Sequence, residues 1–226
     1  RNNEKALKYF ELAASQENSV AFFKLGRIYE KGELVERNYE KAKYFYELSS
    51  KQKDSFSYFY LAKLHSNNGI FEVDLNKAIE YYKECSKIHF EEVITFIKDD
   101  LSWNDTRYNK YCYRSSNDLG LIYLIVFEDI ENGINFIKEA AFGEYPFAQN
   151  NFGLLNQFYL NKIPDAEYMY QRASKSQFCI SEYNLGYLNE INNKIDESIQ
   201  FYIKASDDEN KPLNFHNRNH YDEQLE

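Results

Sequence analysis

The sequence predicts an all-α fold, a right-handed superhelical solenoid of antiparallel helix pairs. The first supporting observation is composition, because the 226 residues include only 3 prolines and 8 glycines, which favours long uninterrupted helices. The second is that small residues recur at similar intervals along the chain. The third is that the large apolar residues between them follow the 3.6-residue period of a helix. Together these observations favour an array of similar helical units.

One of two alternating motifs has a small residue near its start and another seven residues later. Its six copies are 36, 36, 55, 33 and 32 residues apart, measured between the first small residues Ala6, Ala42, Ala78, Gly133, Ala166 and Ser198. Aromatic or aliphatic residues lie between the two small residues of each copy. A spacing of seven keeps both small residues near one face of a helix. We call this motif the second helix of each unit.

The other motif, the first helix of each unit, has a small residue directly after a leucine or phenylalanine. We call this small residue the marker residue, and its five copies are Gly26, Ala62, Gly120, Gly153 and Gly186. A small residue lets two helix axes approach closely while larger neighbours fill the grooves. Because one helix pair cannot cover its own apolar surface, successive pairs are expected to stack.

A longer pattern spans the first complete unit. The motif A-x-x-x-L-G-x-x-Y-x-x-G is matched at Ala21, Leu25, Gly26, Tyr29 and Gly32, and KA-x-x-(Y/F)-(Y/F)-x-x-(A/S)-(A/S) follows it. With these motifs the chain resembles the Sel1-like repeat family, a longer-looped relative of the tetratricopeptide repeat, from about residue 4 to about residue 207. The resemblance implies roles in assembling protein complexes, including ubiquitin-ligase and membrane quality-control assemblies in eukaryotes.

The spacing of 55 residues departs from the period. Counting back 13 residues from Gly133 reaches Gly120, so these two residues are expected in one pair, and about twenty residues before it remain unassigned. They include EEVITFIKD, which suits a short amphipathic helix, and the insertion either binds a partner or packs over a shifted junction. Since the chain opens with a second helix, we expect a further repeat upstream. The predicted divisions are repeats at 1–88, an insertion at 89–109, repeats at 110–207, and a polar tail or cap at 208–226.

Charge and composition disfavour several classes of partner. The formal net charge is −9, whereas nucleic acids and anionic membrane surfaces bind clustered Lys and Arg side chains. The longest apolar runs are shorter than a membrane span, so we expect no direct insertion into a membrane. The three cysteines, Cys85, Cys112 and Cys179, have no CxxC spacing, so we expect reduced thiols and a cytoplasmic location.

No recognisable catalytic, cofactor or metal motif occurs in the sequence. Phosphate-binding glycine loops, nucleophile elbows and zincin motifs are all missing, so we predict no catalytic residues, no cofactor and no metal. His216 and His220 are four residues apart in a polar, asparagine-rich tail, which favours a solvated or capping role. His65 replaces the tyrosine usual in the family and is expected in the core or in a groove.

The predicted partner-binding residues lie on the first helices, which line the concave side of stacked helix pairs. They stand three before and one after each marker residue, and the position four after it completes the same stripe. Arg27 and Lys63 suit a carboxylate or acidic peptide, asparagines suit an extended backbone, and aromatic rings suit side chains. The alternative is that several pack against the next repeat. The candidates are Phe23, Arg27, Phe59, Lys63, Asn117, Leu121, Asn150, Leu154, Tyr183 and Tyr187, with Trp103 added from the insertion.

The function predicted from these features is that of a non-catalytic scaffold or adaptor for a protein or peptide partner. The partner segment is expected to bind along the concave face, and the insertion is a candidate for an additional contact. An alternative from another class is a regulatory or targeting repeat segment of a larger enzyme, such as a protein kinase. RNA binding by a related helical repeat is disfavoured by the negative charge.

Overall fold

A computed structural model describes residues 2–32, 34–67, 70–99 and 106–206, with side chains described in all of these except 2–4, 89–99 and 106–110. The described residues are helical throughout apart from short turns and contain no β-strand, which confirms the all-α prediction. The helices are α1 (Asn2–Ala14), α2 (Ser19–Lys31), α3 (Tyr39–Ser50), α4 (Ser55–Ser66), α5 (Leu75–Asp99), α6 (Thr106–Ile125), α7 (Ile130–Phe142), α8 (Pro146–Leu154), α9 (Ile163–Lys175), α10 (Cys179–Ile191) and α11 (Ile195–Ser206). A π-helical turn, Leu155–Tyr159, continues α8.

The chain divides into two compact units, unit 1 (Arg1–Leu119) and unit 2 (Gly120–Glu226). Unit 1 contains the pairs α2–α3 and α4–α5, preceded by the second helix α1. Unit 2 contains the end of α6 with α7, followed by the pairs α8–α9 and α10–α11. Within each unit, successive helices along the chain are neighbours in space, as expected for stacked helix pairs.

Polar caps and prolines set where many helices begin. The side chains of Asn18, Asn38 and Asp54 accept hydrogen bonds from backbone N–H groups three residues later, at 2.9, 2.9 and 2.8 Å. Each cap satisfies a donor that the first helical turn leaves without a partner. Pro146 and Pro164 stand in the first turn of α8 and α9, where the missing N–H costs nothing.

The marker glycines form the contact between the two helices of a pair. A Cβ added to Gly26 would lie 2.5 Å from the Tyr46 ring, and one added to Gly153 would lie 2.4 Å from the Tyr170 ring. Gly186 faces the Tyr202 ring in the same way, at 2.7 Å. The missing side chain therefore provides the room for an aromatic ring that stands four residues after the small residue of the second helix.

The pair α6–α7 places a glycine on both helices. A Cβ on Gly120 would lie 2.6 Å from Ile137 and 2.8 Å from the carbonyl oxygen of Gly133, and a Cβ on Gly133 would lie 2.4 Å from Leu124. The predicted pairing of Gly120 with the segment that contains Gly133 is therefore confirmed. With two glycines, the backbones themselves approach closely.

The predicted insertion begins within a long helix. α5 runs from Leu75 to Asp99, so EEVITFIKD continues the second helix of the preceding pair and does not form a separate helix. α6 starts at Thr106, before the predicted end of the insertion. Trp103 lies outside the described residues, as does the polar tail with His216 and His220. The division into repeats, insertion and tail stays a prediction.

Candidate functional site

Burial separates the predicted partner-binding residues by their position relative to the marker residue. At the position three before it, Phe23, Phe59, Asn117 and Asn150 are buried, and only Tyr183 is exposed. At the position one after it, the side chains are half-buried in four helices and exposed only at Tyr187. Most of the predicted stripe is therefore packed against neighbouring helices.

Phe23 and Phe59 join one first helix to the next. The Phe23 ring lies 5.5 Å from Phe56 and 5.7 Å from Tyr60, both on α4. The Phe59 ring lies 5.3 Å from the ring of Tyr111 on α6. Neither ring is accessible to a partner, because the following repeat covers it. This arrangement corresponds to the alternative that these aromatic side chains pack against the next repeat.

The two predicted asparagines are also committed within the protein. Oδ1 of Asn150 accepts hydrogen bonds from Ser181 Oγ at 3.1 Å and from Asn184 Nδ2 at 2.9 Å, which links α8 to α10. Asn117 is fully buried, and its Nδ2 donates to Oδ1 of Asp118 at 3.1 Å. The Asn150 amide therefore links two neighbouring repeats, and burial keeps both asparagines from the backbone of a bound segment.

Arg27 and Lys63 converge on one aromatic ring in unit 1. Cζ of Arg27 lies 4.3 Å from the centre of the Tyr60 ring, and Nζ of Lys63 lies 5.8 Å from it. Nη1 of Arg27 also contacts Oε2 of Glu30 at 3.2 Å. Cations above an aromatic face are attracted by the ring quadrupole. The sequence placed the two cations on consecutive first helices, and the structure brings them to the same ring.

The remaining described candidates lie in unit 2. Leu121 and Leu154 are half-buried, and Leu154 packs against a cluster that includes Tyr170 and Leu185. Tyr183 and Tyr187 are exposed on α10, the last first helix among the described residues, and the Tyr183 ring lies 5.3 Å from the Tyr202 ring. Trp103, the eleventh candidate, is outside the described residues.

Three tyrosines form a contact that the sequence interpretation missed. The hydroxyls of Tyr46, Tyr170 and Tyr202 donate hydrogen bonds of 2.6, 2.8 and 2.7 Å, and the acceptors are Glu30, Gln157 and Glu190. Each acceptor stands four after a marker glycine, and each tyrosine stands four after the small residue of the second helix. We call this contact the tyrosine clasp. The signal was present in the sequence as two matched spacings of four.

The α6–α7 pair replaces the clasp with apolar side chains. Leu124 occupies the acceptor position and Ile137 the tyrosine position, and each lies next to the glycine of the opposite helix. A leucine cannot accept a hydrogen bond. Because the opposite side chain is an isoleucine and not a tyrosine, no hydroxyl group is left without an acceptor. In these repeats, the side chain four after the marker residue therefore contacts the second helix of its own pair.

The Sel1 repeat family matches the sequence at residues 1–18, 19–54, 55–84 and 180–210, together just over half of the chain. The chain belongs to the Sel1 repeat family. The matched segments begin at or next to the first residues of α2, α4 and α10, so each complete Sel1 repeat starts with a first helix and continues into its second helix. The resemblance inferred from the motifs is confirmed.

Several solved structures are similar to this chain. A MamA protein crystal structure aligns over 87% of this chain and 94% of that chain, at 18% identity and a TM-score of 0.50, which shows a shared fold. A Sel1 repeat protein from Oxalobacter formigenes aligns over 91% and 94% of the two chains at 14% identity and a TM-score of 0.47. The antigen c5321 of uropathogenic Escherichia coli aligns over 91% and 49% at 17% identity and 0.49. No curated protein sequence matches the chain significantly.

His65 lies in the core of the second complete Sel1 repeat. It is buried between the rings of Tyr81 and Phe71, with ring centres 5.7 and 6.5 Å away, and neither ring nitrogen has a hydrogen-bond partner. Burial lowers the pKa of its imidazole, and the charges of Lys43 and Lys77 lower it further. The imidazole fills the place of the family's tyrosine as a neutral ring, as predicted for a core position.

Two cysteines meet inside this Sel1 array although they are distant in sequence. Sγ of Cys85 lies 3.8 Å from Sγ of Cys112, and the Cys112 thiol also donates to the backbone oxygen of Cys85 at 3.3 Å. Both thiols are buried, and no disulfide joins any of the three cysteines, all of which lie in the described part of the chain. The spacing of 27 residues gave no signal for this contact.

Two further features of the Sel1 repeats concern metals and membranes. Among the residues that the structure describes, no group of three or more His, Cys, Asp or Glu side chains could hold a metal ion. None of the helices described here combines the length and apolar content needed to cross a lipid bilayer.

Proposed function

We propose that this Sel1 repeat protein is a non-catalytic scaffold or adaptor that binds a segment of a partner protein along its first helices, on the side predicted to be concave. Sel1 repeats generally mediate protein interactions, which supports the scaffold role. The observation that carries the proposal is the convergence of Arg27 and Lys63 on the Tyr60 ring.

The two cations favour a partner segment with a carboxylate side chain. They stand on consecutive first helices, so one bound segment can contact both while it crosses the two repeats. Stacking on Tyr60 and the contact with Glu30 restrict the Arg27 guanidinium, which lowers the entropy lost on binding.

In unit 2 the position one after the marker residue is apolar or aromatic, and the position three before it is aromatic at Tyr183. Leu121 and Leu154 contribute partly buried methyl groups, and Tyr183 and Tyr187 contribute exposed rings. Tyrosines supply large contact areas with few rotatable bonds, which favours recognition of polypeptides. We propose that the first helices of unit 1 offer a charged contact to a partner segment, and that the first helices of unit 2, taken by themselves, offer apolar and aromatic anchoring.

Site-specific photo-crosslinking tests the proposed face. A photoreactive phenylalanine at Tyr187 is compared with one at Tyr168, a similarly exposed tyrosine on the second helix α9. We expect polypeptide adducts from Tyr187 and none from Tyr168, with mass spectrometry of the adducts to identify the partner. Equal adducts at both sites, or none at either, would exclude binding along the first helices.

Charge reversal tests the cationic contact. Lys63→Glu should weaken capture of the identified partner by about tenfold, because it replaces attraction to a carboxylate by repulsion. Lys83→Glu, at an exposed position of the second helix α5, serves as the matched control. Lys63 suits this test better than Arg27, whose side chain is only 13% exposed and packs on Tyr60.

A cytoplasmic location forms part of the same proposal. All three cysteines lack a disulfide, including Cys85 and Cys112, whose sulfur atoms are only 3.8 Å apart. Thiols at such a distance persist in a reducing compartment. Fractionation of the native host cells, followed by detection of the chain with an antibody, tests the location.

A further inference from the structure

The turns between first and second helices in unit 2 share one edge of that unit. These turns join α6 to α7, α8 to α9, and α10 to α11. Neighbouring helices along the chain are antiparallel, so α8 and α10 run in the same direction, and the hydrogen bonds from Asn150 to α10 confirm that these two helices are adjacent. Turns at the same end of successive pairs therefore follow one another along the edge.

Large apolar side chains at these three turns are exposed. We call the set the turn-edge strip, and its members are between 47% and 73% exposed: Ile125, Phe127, Phe158, Tyr159, Ile191 and Ile195. At the opposite edge of unit 2, the turns that lead into α8 and α10 bury their aromatic residues Tyr145 and Phe178. Large exposed apolar side chains grouped along one edge mark an interaction site, whereas single exposed apolar residues do not.

The turn-edge strip is not simply the uncovered end of an array. The α8–α9 turn, with Phe158 and Tyr159, has a neighbouring pair on both sides within unit 2. The two units also differ at one position of these turns. The position five after the marker residue is Ile125, Phe158 or Ile191 in unit 2, whereas it is Lys31 or Asn67 in unit 1.

Acidic side chains surround the turn-edge strip. The segments 125–131, 158–165 and 190–197 contain seven acidic residues and two lysines, Lys162 and Lys194. Several of the acids, such as Glu131, Asp165 and Glu197, stand in the first turn of a second helix, where they also favour the helix dipole. The resulting negative potential repels anionic lipid and nucleic acid and attracts cationic side chains.

We propose that the turn-edge strip binds an amphipathic helical segment of a partner protein, with apolar side chains on one face and Lys or Arg residues beside them. Apolar contacts with the strip provide affinity, and the acidic rim selects the basic flanks. Packed helices are about 10 Å apart, so three successive turns extend over about 20 Å. A helix of about 13 residues spans that length. The strip adjoins the first-helix face, because Ile125, Phe158 and Ile191 stand one helical turn after Leu121, Leu154 and Tyr187. The proposal is carried by the exposed turn residues and the acidic rim and does not depend on the proposed function.

Peptide binding tests the proposal directly. The probe is a fluorescein-labelled peptide of about 14 residues, built from leucine and lysine with the leucines on one helical face, and its binding is followed by fluorescence anisotropy. A matched peptide carries glutamate in place of every lysine. We expect the full chain to bind the lysine peptide, more weakly as salt increases, and not to bind the glutamate peptide.

Substitutions then locate the binding site. Phe127→Ser and Phe158→Ser should each weaken binding of the lysine peptide by about tenfold, as loss of an apolar anchor does. Phe142→Ser changes another exposed phenylalanine of unit 2, at the end of α7 on the opposite edge, and should leave binding unchanged. Glu131→Gln with Asp165→Asn removes acidic charge without removing apolar contacts, and should weaken binding mainly at low salt.

Four results would overturn the proposal. They are equal loss of binding with Phe142→Ser, equal binding of the glutamate peptide, association with phosphatidylserine vesicles in place of the peptide, and dimerisation in sedimentation experiments that Phe158→Ser abolishes. Circular dichroism of each variant verifies that the helices remain formed. A variant that loses helix content is replaced by the corresponding Phe→Gln substitution, so that the comparison between the two edges can still be made.

Discussion

The hydroxyl of Tyr46 donates a 2.6 Å hydrogen bond to Oε2 of Glu30, sixteen residues earlier, on the paired helix. The Tyr46 ring meanwhile lies against Gly26, so a single side chain fills the space between the helices and satisfies a polar group at their edge. Burial, followed by the charge of Glu30, raises the pKa of Tyr46 well above its usual value. The phenol therefore remains protonated, and a hydrogen-bond donor, at neutral pH.

Removal of this hydroxyl should destabilise unit 1. Tyr46→Phe keeps the ring against Gly26 but removes the hydroxyl donor to Glu30, whose Oε2 then keeps its contact with Nη1 of Arg27. We expect a loss of about 1–2 kcal/mol in the free energy of unfolding. Urea denaturation followed by circular dichroism measures the loss. Tyr44→Phe, at an exposed position on the same helix, is the control and should change little. Equal effects of the two substitutions would show that the bond to Glu30 contributes nothing.

A side chain at a marker glycine should disrupt the pair α8–α9. In Gly153→Ala the new methyl group would lie 2.4 Å from Cε1 of Tyr170, so the ring must move, at a cost of about 1–3 kcal/mol. The same substitution in a Tyr170→Leu background should cost less, because the rigid ring is gone. Denaturant unfolding of both single variants and the double variant gives the coupling energy. A coupling energy of zero would contradict the proposed contact.

Two capping aspartates should respond to pH with opposite signs. Burial raises the pKa of Asp54, so the protonated carboxyl is the form that stabilises the fold. This stabilisation is fully present below the ordinary pKa of 3.8 and is lost as pH rises through the folded-state pKa. Hydrogen bonds from Asn132 lower the pKa of Asp129, so its contribution is present above 3.8 and lost as pH falls through the folded-state value.

Substitution by asparagine separates the two cases. Asp54→Asn should raise the free energy of unfolding at pH 7, because it removes a buried charge and keeps a side-chain oxygen that can cap α4. Asn18 and Asn38 cap α2 and α3 in the same way. Asp129→Asn should lower it at pH 7. Both differences from the wild type should shrink as pH falls below about 4. Thermal unfolding from pH 3 to pH 7 provides the comparison, and the same sign for both variants would contradict the assignment.

The three cysteines should react with alkylating reagents at different rates. Cys85 and Cys112 are buried, whereas Cys179 is partly exposed at the start of α10. We expect iodoacetamide to modify Cys179 in the native protein and to reach the other two thiols only when urea opens α5 and α6. Peptide mapping by mass spectrometry identifies the modified residue at each time. Rapid modification of Cys85 without denaturant would show that this contact is not closed.

The helix pairs could be predicted from the sequence because a small residue marks each place where two helices approach closely. Gly26, Gly120, Gly153 and Gly186 all lie at helix contacts, as their spacing indicated. The pairing of Gly120 with Gly133 across the irregular spacing followed from the same counting. Such contacts lie within one pair, so a local pattern determines them.

The candidate binding residues were harder to predict because their exposure depends on the next repeat. Phe23 and Tyr183 occupy equivalent positions in their helices, yet Phe23 is buried against α4 and Tyr183 is exposed. A helix-by-helix interpretation cannot distinguish them, since the neighbour that covers a side chain is specified more than thirty residues away. The contact between Cys85 and Cys112 escaped prediction because it joins two different helices across 27 residues, with no spacing motif to mark it.

The tyrosine clasp joins residues that are sixteen, thirteen and twelve positions apart in the three pairs that contain it, yet its length varies only between 2.6 and 2.8 Å. The loop between the two helices can therefore gain or lose about one helical turn of residues while the helices keep the same register. Insertions and deletions of codons at these joints would pass without disturbing the packed interior. An ancestral array could in this way drift in period from one module to the next and still fold as a continuous stack.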